Sequence, residues 1–138
     1  MVFDEGLQWM LEKLVDVWQN VPVTENIFLE LDTGEREFRK GDTLADMRIP
    51  AFPGYTPIRL DSWFDPIITP NFVWTPELTR TFKCTGNVSP VSCVNWFVRT
   101  AGDVLLFGTR LPLTVAVEHD GDEVSVLPTL IGLDAGNG

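Results

Sequence analysis

With 138 residues, 44% of them hydrophobic, and nine Phe and five Trp among them, the chain has enough apolar mass for one core and is too hydrophobic for disorder. Ten Lys and Arg against twenty Asp and Glu leave a net charge of −10 and a pI near 4.3. Such a balance excludes a basic phosphate-binding patch and disfavours an anionic membrane surface, so nucleic acid and membrane are not expected partners. What remains is binding to proteins, sugars or small molecules.

Met1-Val2-Phe3-Asp4-Glu5 lacks the basic start of a signal peptide, and no run approaches the roughly 18 apolar residues of a membrane helix. Synthesis in a cytoplasm is the expectation. One domain is expected: a helix over residues 4–19, a β-domain over 27–133 with an irregular arm over 34–60, and a frayed tail at 134–138.

Between Asp4 and Trp18, Leu7, Met10, Leu11, Leu14 and Trp18 recur at helical spacing. Asp4 can cap this helix, and Asn20-Val21-Pro22 stops it. Its apolar stripe suits packing on the domain's own core or docking into a neighbouring subunit. From Ile27 onward the pattern is β. Ile27–Leu31 is a short apolar strand, and Leu78–Cys84 alternates. Cys93–Thr100 sets Val94, Trp96 and Val98 on one face. Ala101-Gly102 turns it into Asp103–Arg110, while Asp120-Gly121-Asp122 joins Leu113–His119 to Glu123–Leu133. Pro112 and Pro128 put their strands at an edge or a bulge. Short strands after one helix predict a mainly β fold, a small antiparallel β-sandwich or barrel with one amphipathic helix at the N-terminal end.

The segment Gly41–Leu60 is apolar without a period. Pro50, Pro53, Gly54 and Pro57 interrupt any ladder, Asp42–Asp46 suits a short turn, and Phe52–Tyr55 suits a bend. It reads as an arm crossing a surface, either its own domain's or a neighbour's. Phe38, Met47, Ile49, Phe52 and Tyr55 are its candidate partner contacts. Trp63, Phe64, Phe72 and Trp74, interleaved with Pro66 and Pro70, either plug the sandwich end or form a binding surface.

Little here builds an active site. His119 is the single histidine and sits at a turn, where it is expected in solvent. No nucleophile elbow, Walker loop or dinucleotide fingerprint occurs. Glu118, Asp120, Asp122 and Glu123 cluster at a hairpin tip without a calcium-loop pattern, so a solvated turn is expected there. No catalytic residue, metal ligand or cofactor is assigned. Cys84 and Cys93 bracket TGNVSPVS. If their strands pair as a hairpin, the two stand where a cross-strand disulfide can form; otherwise they are reduced, buried thiols.

The order of segments resembles a family of small tailed-bacteriophage virion proteins. The resemblance runs over residues 6–133: GLQWMLEKLV with its leading Gly6, IFLEL, DTLADMRIPAFPGY, TPIRL, TRTFKCTG, VNWFVRTAGDVLLFGTRL and GDEVSVLPTL. The LAD…F-x-GY block and the closing GDEVSVLP are its most specific parts. GEREFRKG and MRIPAF depart from the pattern, which makes any contact between the first strand and the Gly-Tyr turn particular to this chain. The resemblance implies a non-enzymatic capsid decoration or cement protein, bound outside the shell to the major capsid protein and self-associated, as a trimer. It would be located in the virion. A tail or baseplate module that binds a host glycan through the Trp63–Trp74 aromatics is the alternative.

Overall fold

A computed structural model describes residues 1–60 and 79–129. The helix α1 spans Asp4–Trp18. Among the described residues six strands follow: β1 (Ile27–Asp32), β2 (Ile58–Leu60), β3 (Arg80–Lys83), β4 (Val91–Thr100), β5 (Leu105–Val117) and β6 (Glu123–Val126). They form two antiparallel sheets, ordered β2-β1-β4-β5 and β3-β6. The result is a mainly β, sandwich-like fold with one helix, and no closed barrel forms among the described residues.

The helix has the expected bounds but not the expected cap. Phe3 is the capping residue without a side-chain bond, and Asp4 is the first helical residue. Asp4 and Glu5 lie in the positively polarised first turn, where Glu5 Oε1 accepts from Leu105 N at 2.8 Å. The end is a Schellman motif: Asn20 adopts φ 58°, Asn20 N donates to Val17 O, and Val21 N reaches back to Asp16 O at 2.8 Å. The buried face also differs. Gly6, Trp9, Met10 and Leu14 pack inward, whereas Leu11 and Trp18 face out.

Residues opposite each other in the β1–β4 register share a face. One face carries Ile27, Leu29, Leu31, Trp96 and Val98, which cluster with Trp9, Met10 and Leu14 of α1 and Phe82, Val124 and Val126 of the small sheet. The other face carries Phe28, Glu30, Asp32, Asn95, Phe97 and Arg99. Here Phe97 and Leu105 join Phe3 and Met47, with Phe38 and Leu44 packed against them. Cover on both sides explains why β4 is buried without alternation from Cys93 to Val98.

Leu105–Arg110 and Leu113–Val117 form one strand rather than two. The chain keeps its direction through Pro112 by a large bulge: Leu111–Thr114 of β5 oppose Val94 alone. Proline is tolerated because β5 is an edge strand, as its sequence implied. Met1–Phe3 runs along the first part of that edge, with Met1 N to Gly108 O at 2.9 Å and Phe3 N to Leu106 O at 3.0 Å.

β3 pairs with β6, not with β4, which corrects the expected Cys84–Cys93 hairpin. With the two strands in different sheets, both cysteines are free, buried thiols, and Cys84 Sγ donates to Gly86 O at 2.9 Å. The Trp63–Trp74 aromatics, the continuation of the last strand to Leu133 and the tail at 134–138 lie outside the described residues, apart from Leu127–Thr129, which follow β6 with no strand assigned.

Candidate interaction surface

β2 pairs only with Ile27–Leu29, which leaves the outer edge of β1 open beyond that point. The arm closes it. Leu31 N donates to the Tyr55 hydroxyl at 3.0 Å, and Thr33 N donates to Arg48 O at 2.9 Å. Asp32 holds the arm from the strand side, accepting from Arg48 N at 2.7 Å on one oxygen and from Asn95 Nδ2 at 2.8 Å on the other. An unpaired strand edge invites pairing with another chain, so this cover has a physical purpose.

Local chemistry shapes the arm. Thr43 and Asp46 form a capping box around a 3-10 turn at Leu44–Asp46. Pro53-Gly54 makes the bend expected of FPGY: Tyr55 N donates to Phe52 O, and Gly54 takes φ 86°. The bend docks on the small sheet through Thr85 N to Pro53 O at 2.9 Å. Tyr55 then stacks on Phe82 with ring centroids 5.4 Å apart.

These contacts correct most of the expected partner surface. Phe52 is buried in the main core and Tyr55 packs against it, while Met47 is buried in the second core cluster. Phe38 meets Phe3 edge-on at 5.3 Å. An apolar residue in irregular chain reads the same from sequence whether it covers its own sheet or a neighbour's. Here its own sheet has an open edge and a second face that must be covered, and the arm lies on both. Of the five arm candidates, Ile49 alone is exposed. Trp63, Phe64 and Trp74 lie outside the described residues.

The buried polar groups serve as ties. Glu30 is almost wholly buried; it accepts from Arg99 Nε on β4 and from the Tyr55 hydroxyl at 3.3 Å. Arg99 also lies over the Phe28 ring, 5.0 Å from its centroid. Glu25 joins the Trp9 indole, at 3.2 Å, to Gly102 N in the β4–β5 turn, at 2.8 Å. Asp42 pairs with Arg36 at 3.1 Å. A cleft of about 400 Å³ at the end of β1 is bordered by Asp32, Arg36, Phe38, Met47 and Arg48, and Asp32 uses both carboxylate oxygens in the bonds above.

The acidic hairpin tip is a turn held by its own carboxylate. Asp122 Oδ2 accepts from Glu118 N and His119 N at 2.9 and 2.8 Å, bonds that keep its pKa below the ordinary value. The His119 side chain is exposed. Among the described residues no group of three or more His, Cys, Asp or Glu is placed to hold a metal ion. No described helix is long and apolar enough to cross a membrane.

Burial, with the nearby Asp32 charge, pushes the Cys93 thiol up to about 11, and burial raises the Tyr55 phenol further still. Both groups are neutral when protonated, so the folded chain holds protons that the unfolded chain releases. The stability these two groups contribute is therefore full below about pH 8.5, falls as Cys93 of the unfolded state ionises, and falls again above about pH 10 as Tyr55 does. Denaturant melts from pH 7 to 11 test this, with Cys93→Ala expected to remove the first part of the loss. Thiol labelling without reductant should find both cysteines slow in the folded chain and two reactive thiols after unfolding.

The largest unassigned feature is on α1. Leu11 is 44% exposed, Val15 46%, Trp18 73%, and Val21 just past the helix 45%. Leu11, Val15 and Trp18 fall at i, i+4 and i+7, one stripe beside the buried face. Sequence reasoning merged the two stripes into one. The signal was available, because Trp9, Val15 and Val17 make the apolar arc too wide for a helix with a single covered face.

No protein-family model matches this chain, and no curated protein matches it.

Proposed function

We propose that this chain is a non-enzymatic structural protein of a tailed-phage virion, a decoration or cement protein that binds the outside of the major capsid shell and reinforces it as a homo-oligomer. One observation carries the reading: the buried Glu30, Asp32 and Asn95 tie the domain's own elements together, while a stripe with a 73%-exposed tryptophan stays exposed on α1. That is the profile of a domain whose work is adhesion. The resemblance in DTLADMRIPAFPGY and GDEVSVLPTL supports the virion as its setting. On a shell that repeats one site many times, modest affinity per contact becomes high avidity, and a charge of −10 keeps decorated particles apart.

Mass spectrometry of purified virions tests the reading. Copies comparable in number to the major capsid protein are expected. A handful of copies points instead to the tail and the glycan-binding alternative, and absence from the particle overturns the proposal.

A further inference from the structure

The apolar arc of α1 divides between two covers. Gly6, Trp9, Met10 and Leu14 face the domain, and Leu11, Val15 and Trp18 continue the arc into solvent. The Schellman end folds Val21 back beside the last turn through its bond to Asp16 O, so the patch ends in fixed geometry rather than in a loose loop. A patch ordered before binding loses less entropy when it docks.

Its border has one sign. On the side away from the domain the stripe is flanked by Gln8 and Glu12, with Asp16 beyond them paired at 3.7 Å to Lys13, the helix's single base. The last turn carries no basic residue, so the negative end of the helix dipole lies beside Trp18. A second copy would bring the same acidic border against this one, inside a pair of chains each at −10. Self-docking through this face is therefore opposed, and a cationic border opposite is favoured.

We infer that Leu11, Val15, Trp18 and Val21 seat in an apolar groove on a different protein, whose rim facing Glu12 and Asp16 is lined by Lys or Arg. This rests on the reading above, in which that protein is the capsid shell. Trp18 is the anchor, as the largest and most exposed side chain of the stripe.

The probe is purified particles from which the chain has been removed, rebound by wild-type and variant chains. Trp18→Ala is expected to weaken rebinding at least about thirtyfold, the loss typical of an interface hot spot. Glu12→Lys with Asp16→Lys is expected to weaken it about tenfold at low salt and to invert its salt dependence, so that added salt restores rebinding. Trp18 and Glu12 face solvent and Asp16 loses only its surface pair with Lys13, so near-wild-type circular dichroism and melting of the variants are expected, and they confirm that the fold is intact. Equal rebinding by Trp18→Ala overturns the surface and leaves the virion reading standing. Unchanged or tighter rebinding by the charge reversal overturns the basic rim. Failure of the wild-type chain to rebind, together with its absence from native particles, overturns both inferences. Sedimentation of the free chain is the last arm: concentration-dependent association that Trp18→Ala removes would make the occupant a second copy and overturn the choice of partner.

Discussion

Gly6→Ala is expected to destabilise the domain by about 2–3 kcal/mol, even though alanine is the better helix former. A Cβ at Gly6 would lie 2.6 Å from Leu105 O and nearer still to Leu106 O, both backbone atoms of β5 that cannot rotate away. The helix would have to lift from the strand and loosen Trp9, Met10 and Leu14 in the main core. A fall in Tm of about 10 °C follows for a chain of this size. Gly41→Ala is the control, because nothing lies within 4 Å of its Cβ position, and its Tm should hardly change. Equal melting of the two variants would show that α1 does not sit this close to β5.

The second large effect is expected at Glu30. Glu30→Ala should cost about 3 kcal/mol, because it leaves the half-buried Arg99 guanidinium with only the exposed Asp103 carboxylate at 3.8 Å and removes a partner of the Tyr55 hydroxyl. The intact pair is not itself worth that much, since most of the loss is the penalty of a poorly compensated charge. Arg99→Met in the same background should therefore recover much of it, with a coupling of about 1–3 kcal/mol in the double-mutant cycle. Additive single losses in denaturant melts would refute the tie. Glu30 also links β1 to both β4 and the arm, so its loss should raise amide exchange at Leu31, whose N–H depends on Tyr55.

The burial behind the Glu30 effect was not visible in IFLELD as a string. Glu30 and Asp32 alternate with Leu29 and Leu31, which is how a strand with one wet face reads. Both are buried, because the arm covers the second face, Asn95 stands opposite Asp32, and Arg99 reaches Glu30 diagonally from its place opposite Phe28. The cysteines show the same limit from the other side. The spacing of Cys84 and Cys93 suits a hairpin, yet the chain between them passes from one sheet to the other.

What the sequence determined by itself is local. The helix over Asp4–Trp18 follows from its 3.6-residue period, its end from Asn20 and Pro22, and the bends at Asp42–Asp46 and Phe52–Tyr55 from turn chemistry that acts over three or four residues. That β5 would have an edge or a bulge at Pro112 was legible, because proline cannot donate to a central ladder, and the strand has both. The tertiary structure decided which apolar surface meets which. It laid the arm of Phe38, Met47, Phe52 and Tyr55 on its own sheet and left Leu11, Val15 and Trp18 of the helix exposed among the described residues. Hydrophobic burial has no direction of its own. A sequence states how much apolar surface must be covered, and only the packed chain shows which part the domain covers for itself.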